Sequence, residues 1–525
     1  MNQFPRFLAF LVVALGVAVL LVACGASAPP PDPLAPYRPA FRSESLPPDF
    51  DVDAAPRYDI ELSVDPRERK VEGVARIHFK NRSGRPMNDL YVRLYPNLPQ
   101  LQGTMRLTGV STLPGNYAAG YAYLNNNTTA RITLTEPVPP DESIGIEIRY
   151  NVEAPDRAGY VLFGASEGIL NLPYSYPILA AQTTEGTQQT TEGTQRDPTS
   201  PWRLDVPPPH GDIAIADPSF FTITATVPSG ITLVASGVEI TTTQGISDTV
   251  QHILVAGPDR EWTMTVSPRF QQASLDVDGI RVNSYFLPED ANAGRSALAA
   301  AAAAVRVYDR LFSPYPYTKL DIVESPTRYL GMEYPGLNYI GLDTYRDQAG
   351  SQEVLVAHEV AHQWWNGLVN SDPFRYPWLD EGLAEHSSLL FTEMIHGPAA
   401  AERMRVLRWQ VPVDWAVKNG YDAPAGSEVT AFDGTNYEIL VYAKSALFFD
   451  ALYQALGRDK YLEVLRTFIV RYRFKTPTPA DFLAVVDEVG GIDPQPIYQK
   501  WILSGPKHPS PKPANGTQTV TPAPG

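Results

Sequence analysis

The chain has 525 residues, 44% of them hydrophobic, which suits two or three packed domains better than one core. Its 42 Lys+Arg against 58 Asp+Glu leave a net charge of −16, which argues against nucleic acid or an anionic membrane surface as partner. A single cysteine excludes any disulfide within the chain.

Residues 1–23 read as a signal peptide. Arg6 precedes an uncharged apolar run from Phe7 to Ala23, short for a membrane-spanning helix. The run ends in Leu21-Val22-Ala23-Cys24, and Cys24 is the lone thiol. This resembles the bacterial lipobox, whose cysteine receives a diacylglyceryl group. The expected location is therefore extracytoplasmic, in a bacterial cell envelope, with the chain lipid-anchored to a membrane at Cys24. Residues 24–55 are rich in Pro, Ala and Ser and predict an extended tether.

From Tyr58 the hydrophobic period is two. Tyr58, Ile60, Leu62 and Val64 alternate with polar residues, and after Asp65-Pro66 the alternation resumes through Phe79, which predicts an antiparallel hairpin. Short strands recur at 90–94, at 144–148 and in "FFTITATVP". An antiparallel β domain is expected over 56–268, as a saddle or sandwich. Near 182–200 it carries "QTTEGTQ" twice in succession, a repeat with no apolar seam that reads as a disordered surface insertion. Helical periodicity then takes over. "SALAAAAAAVRVYDRLF" is a strong helix former stopped at Ser313-Pro314, and further helices are expected at 351–366, 380–396, 438–456 and 458–472. The fold class is α+β and multidomain, with a second domain over 269–505 and a disordered tail over 506–525.

One helix carries "VAHEVAHQWW". Positions i and i+4 share a helix face, so His358 and His362 can offer ring nitrogens to one metal ion. Glu359 lies about 100° round the helix from His358 and flanks that metal rather than binding it. Downstream, in "PWLDEGLAEHSSLLF", Glu381 follows His362 with eighteen residues between. A stop at Asn366-Gly367 and a loop with Pro373 and Pro377 would bring it back as third ligand. Two His and one Glu with an open fourth position is the donor set of a hydrolytic zinc site, one ion per chain. Glu385, one turn on, either reaches the outer nitrogen of a liganding histidine or is a solvated helix charge.

With these segments the chain resembles the gluzincin zinc aminopeptidases of the aminopeptidase N family, over roughly residues 56–505. "LFSPYPYTKLDIVESP", "YLGMEYPGLNYI" and "VYAKSALFFDALYQALG" follow the family's order and spacing, and the hairpin leading to "LYPN" resembles its N-terminal saddle. The resemblance implies a thermolysin-like, mostly helical zinc-peptidase domain. It implies zinc on His358, His362 and Glu381, and Glu359 as general base. It implies Tyr442 as hydrogen-bond donor to the oxyanion. It also implies Glu333 at the substrate's α-amine, with the backbone of Gly331 and Met332 beside the scissile peptide. Tyr334 stands where the family has Asn, and Leu330 where it has a small residue. A Gln or Glu from the N-terminal domain usually stands near the amine in this family, and no residue here is assigned to that place. Many relatives continue into a large helical domain after the segment that ends here at "WILSGP".

The expected function is removal of N-terminal residues from peptide substrates by a monomer. The alternatives are a zinc endopeptidase of the same fold, distinguished by whether Glu333 anchors an amine, and a non-catalytic peptide-binding surface lipoprotein.

Overall fold

The computed structural model describes residues 32–156, 163–183, 201–327, 330–346 and 351–506. Cys24, most of the duplicated insertion and the tail from 507 lie outside the described residues.

Strand alternation dictates the first domain. In Arg57–Asp65 the side chains of Tyr58, Ile60, Leu62 and Val64 are all buried, and the strand pairs antiparallel with Lys70–Lys80. An eight-stranded sheet grows from this hairpin, joined by two four-stranded sheets. One apolar core draws on all three, with Ile60, Leu90, Ile132, Leu170 and Val266 among its members. The sheet is not purely antiparallel as expected. Arg57–Asp65 runs parallel to Ser219–Pro228, which a long crossover through the other sheets makes possible.

The second domain starts from a five-stranded sheet in the order Gln271–Val277, Ile280–Phe286, Lys319–Ser325, Leu337–Gly341, Gly331–Met332. Gly331–Met332 is an edge strand, antiparallel to its neighbour. The helix Ala291–Leu311 packs on this sheet and on Gln352–Ala361, the helix of the two histidines; the Tyr308 hydroxyl donates to Ala357 O at 3.0 Å. Trp364 and Trp365 follow that helix fully buried, with Phe312 edge-on to both. Behind it lies Pro377–His396, backed in turn by Ser445–Leu456. The helix expected at 438–456 is present, with its first part, Glu438–Lys444, wound as π-helix.

The tether expected over 24–55 is corrected where it is described. Residues 32–55 pack on both domains. Tyr37 and Phe41 are buried against Phe220, Phe41 forms a β-bridge with Tyr317, and Phe50 lies edge-on to Phe220 and Phe474. Composition pointed to a spacer because of the prolines. The apolar side chains set between them outweigh it, since each contributes roughly 1.5–3 kcal/mol when buried.

Candidate metal centre and substrate groove

His358 lies in the last turn of Gln352–Ala361 and His362 is its C-cap, still in helical conformation. Their Nε2 atoms are 3.1 Å apart. The Oε2 atom of Glu381 stands 3.4 Å from His358 Nε2 and 3.3 Å from His362 Nε2. Tetrahedral zinc with bonds of about 2.0–2.1 Å separates its ligand atoms by about 3.3 Å, so the three donors already form one face of such a site. Glu381 Oε2 is buried and makes no hydrogen bond. By donor type, spacing and this free oxygen, the residues fit zinc.

What faces outward from the histidines fixes their rings. His362 Nδ1 lies 2.9 Å from Trp365 O, where it can only donate. His358 Nδ1 lies 3.1 Å from Glu385 Oε2. The Trp365 contact turns the Nε2 lone pair of His362 to the metal position, while the Glu385 carboxylate faces the outer nitrogen of His358 as an ion pair without hydrogen-bond alignment. Burial opposes a charge on His358, but Glu381 and Glu385 outweigh it and raise its pKa to about 9. Glu381 is likewise opposed by burial and held at about 2 by the two histidines. Of the two readings open for Glu385, the structure supports contact with the ligand: its side chain is 3% exposed.

Glu381 comes from the first turns of Pro377–His396, which begins at Pro377, a residue suited to a helix start. The loop before it is held by Asp372, which accepts from the backbone N–H of Phe374 and Arg375 and from Arg203 of the first domain.

Glu359 is 5% exposed, and burial pushes its carboxyl up to about 8. It faces Gly331, where an added Cβ would overlap the Glu359 carboxyl. The edge strand can approach the acid this closely only because residue 331 lacks a side chain. Tyr442, on the π-helical turn, donates from its hydroxyl to Glu381 Oε1 at 2.6 Å and stacks on the His358 ring.

Glu333 follows the edge strand and its side chain is 8% exposed. Its Oε1 accepts from Asn366 Nδ2 at 3.3 Å and lies 3.8 Å from His362 Nδ1. The same Asn366 amide lies 3.3 Å from Asp212 Oδ2, so it bridges two carboxylates. Asn366 has φ 135°, a region that non-glycine residues rarely occupy. Burial pushes Asp212 well above the usual carboxylate range, and Glu333 and Glu381 push it further. Glu261 is raised to about 8, mainly by burial. Two carboxylates brought together across one Asn366 amide make a place where a cation is stabilised.

Several residues in this arrangement have no signal in the sequence. Asp212 sits in the Pro-rich stretch "VPPPHGD", where no periodicity points to it. Gln182 lies in "YPILAAQ", the stretch of the first domain nearest to the family's amine-binding segment, and stands away from Glu333. It bonds the backbone of Arg82 and Lys80 instead. Gln363, directly after His362, accepts from Gly336 N at 2.8 Å and donates to Asn338 Oδ1 at 2.9 Å and Tyr334 O at 3.2 Å. It ties the histidine helix to the Glu333 segment. A buried polar residue beside the motif was the available clue. Lys444, two residues after Tyr442, bonds Asp422, Ala423 O and Ser504 O and has a structural place only.

Residues 297–501 match the Peptidase family M1 domain. The metal centre, Glu333 and Tyr442 all fall inside this M1 segment, while Asp212 lies before it. Aminopeptidase M1-B of Oryza sativa subsp. japonica is 29% identical over 252 residues, covering 43% of this chain and 27% of that protein. Endoplasmic reticulum aminopeptidase 1 of Homo sapiens is 25% identical over 252 residues, covering 42% and 25%. The matched region thus spans about a quarter of the length of these relatives. Among solved structures, the M1 zinc metallopeptidase of Deinococcus radiodurans has the same fold. It superposes with a TM-score of 0.61 at 19% identity, over 88% of this chain and 96% of that one. A mutant of that protein bound to a Tyr-Ser-Ala substrate gives a TM-score of 0.58 at 18% identity.

Proposed function

We propose that the chain is a zinc aminopeptidase that removes residues from the free N-terminus of peptides. The observation that carries this reading is one cluster. Three metal-type donors sit at zinc spacing, Glu359 and Tyr442 flank them, and two carboxylates, Glu333 and Asp212, stand beside them with no lysine or arginine paired to either among the described residues. The M1 segment and the aminopeptidases it resembles support the same class.

His358, His362 and Glu381 would hold the metal. The chemistry that zinc supplies when bound is polarisation of the scissile carbonyl and activation of a water. The protein's own groups do the rest. The peptide's α-ammonium enters between Glu333 and Asp212, where Asn366 keeps the carboxylates apart and oriented. The substrate backbone lies along the Gly331–Met332 edge as an added strand. Glu359 takes the proton of the attacking water and passes it to the leaving amine nitrogen. Tyr442 exchanges Glu381 for the developing oxyanion, where a fixed donor lowers the barrier. Anchoring of the first residue by its amine places the first peptide bond at Glu359, which favours exopeptidase over internal cleavage.

The deciding experiment is hydrolysis of paired peptides with free and acetylated N-termini, with Glu359→Gln as control. Stepwise loss of N-terminal residues from the free peptides alone, abolished in the control, is the expected result. Equal cleavage of acetylated peptides at internal bonds would sink the aminopeptidase reading and leave a zinc endopeptidase. Zinc uptake without any turnover would leave a peptide-binding protein.

The extracytoplasmic, lipid-anchored location belongs to the same proposal and rests on the lipobox-like segment at Cys24. Loss of membrane association in Cys24→Ser, measured by fractionation of the full chain, is the expected result.

A further inference from the structure

The acid that holds His358 is itself held from behind. Arg408 grips Glu385 with both arms, Nε to Oε1 at 2.9 Å and Nη2 to Oε2 at 3.1 Å. Trp409 Nε1 donates to the same Oε1 at 2.7 Å. Glu385 Oε2 is then the atom 3.1 Å from His358 Nδ1. These neighbours sit on a π-helical turn, Arg405–Gln410. Consecutive α-helical residues diverge by about 100°, and the wider π turn narrows that angle, so two adjacent side chains can converge on one carboxylate. Trp409 is fully buried, whereas the Arg408 side chain is 40% exposed.

We propose that Arg408, with Trp409, is a positioning residue for the metal centre. It fixes the plane of the Glu385 carboxylate and so keeps His358 in the tautomer that presents Nε2 to zinc. Arg408 touches neither the metal position nor the groove and acts only through Glu385. A forked guanidinium sets both oxygens of a carboxylate at once, which a point charge does not. Without the fork, the carboxylate turns about its last bond, the Nδ1 contact loosens and the His358 ring is free to rotate. The inference rests on the zinc reading of His358, His362 and Glu381.

The test is zinc affinity of the full folded chain by chelator competition, for wild type, Arg408→Met, Arg408→Lys and Arg405→Met. Arg405 lies on the same turn but pairs with Glu402, so its variant reports what disturbing that turn does by itself. Melting of each metal-free protein separates loss of fold from loss of metal. Loss of a partner behind a liganding histidine typically weakens binding 10–100-fold, so Arg408→Met is expected to raise the zinc dissociation constant by about that factor. Arg405→Met should leave it unchanged, and Arg408→Lys should recover only part. An Arg408→Met dissociation constant within about twofold of wild type, in a folded protein, overturns the proposal. Full recovery by Lys overturns the fork and leaves charge alone. A wild type that takes up no zinc instead refutes the metal reading itself.

Discussion

The Tyr442 hydroxyl donates to Oε1 of Glu381 at 2.6 Å, while Oε2 of the same carboxylate faces the two histidines. One carboxylate thus separates the metal position from a hydroxyl poised beside it. Burial holds that hydroxyl well above the usual phenol range, so it stays protonated and able to donate. Tyr442→Phe removes the donor and keeps the ring on His358. Losing one oxyanion donor typically costs about 10²–10³ in kcat, and that loss is expected here with zinc uptake retained. A kcat within a few-fold of wild type would mean that Tyr442 only braces Glu381.

Gly331 is the second point of pressure. An alanine methyl at 331 would meet Oε1, Cδ and Cγ of Glu359. Either the edge strand or the acid must move, and a displacement near 1 Å in a reacting group can cost on the order of 10²-fold. Gly331→Ala is expected to lose at least that in kcat/KM while its melting temperature changes little, because Gly331 lies at a sheet edge. Unchanged turnover would show that Glu359 does not work from this position.

Asp212 reports on the amine. If it shares the α-ammonium with Glu333, Asp212→Asn removes a charged acceptor but keeps its shape. Hydrogen bonds to charged groups contribute about 1.5–3 kcal/mol, so KM for free-amine peptides should rise about 10–100-fold. Steady-state kinetics on one peptide at varied length would check it. A fall in kcat at constant KM would place Asp212 elsewhere in the reaction.

Away from the groove, Asp259 offers a pH signature. It is 3% exposed, and burial raises its pKa to about 7. Its folded pKa lies above the unfolded value, so between about pH 4 and 7 the folded state holds the extra proton and stability falls as pH rises. Above pH 7 the penalty is complete. Asp259→Asn is therefore expected to stabilise the protein at pH 8, by an amount on the order of 4 kcal/mol, and to change little at pH 4. Denaturant melts at both pH values decide it, and an equal effect at both would refute the burial account.

Legibility followed periodicity. His358, His362 and Glu381 could be grouped from spacing because a helix repeats every 3.6 residues and a loop with two prolines turns back. The strands from Tyr58 to Phe79 could be read because their alternation had one buried face. Asp212 could not, since its stretch has neither period and its place is set by a neighbouring domain. Arg408 and Trp409 escaped for a different reason. Their convergence on Glu385 needs a π turn, which shifts the register on which helical spacing arguments depend. The segment 32–55 misled because its prolines masked side chains that found partners far along the chain.

That segment also determines how the protein can be divided. Arg42 N–H bonds Pro316 O, Arg473 bonds Glu44 O and Ser45 O, and Phe50 meets Phe474. A half excised at residue 269 would keep the three metal-type donors, Glu359 and Tyr442, but lose Asp212. It would nevertheless present bare Tyr317 and Phe474 faces to water and tend to self-associate. Residues 32–55 are thus a clasp across both halves, and a soluble minimal version of the protein has to begin upstream of Leu34.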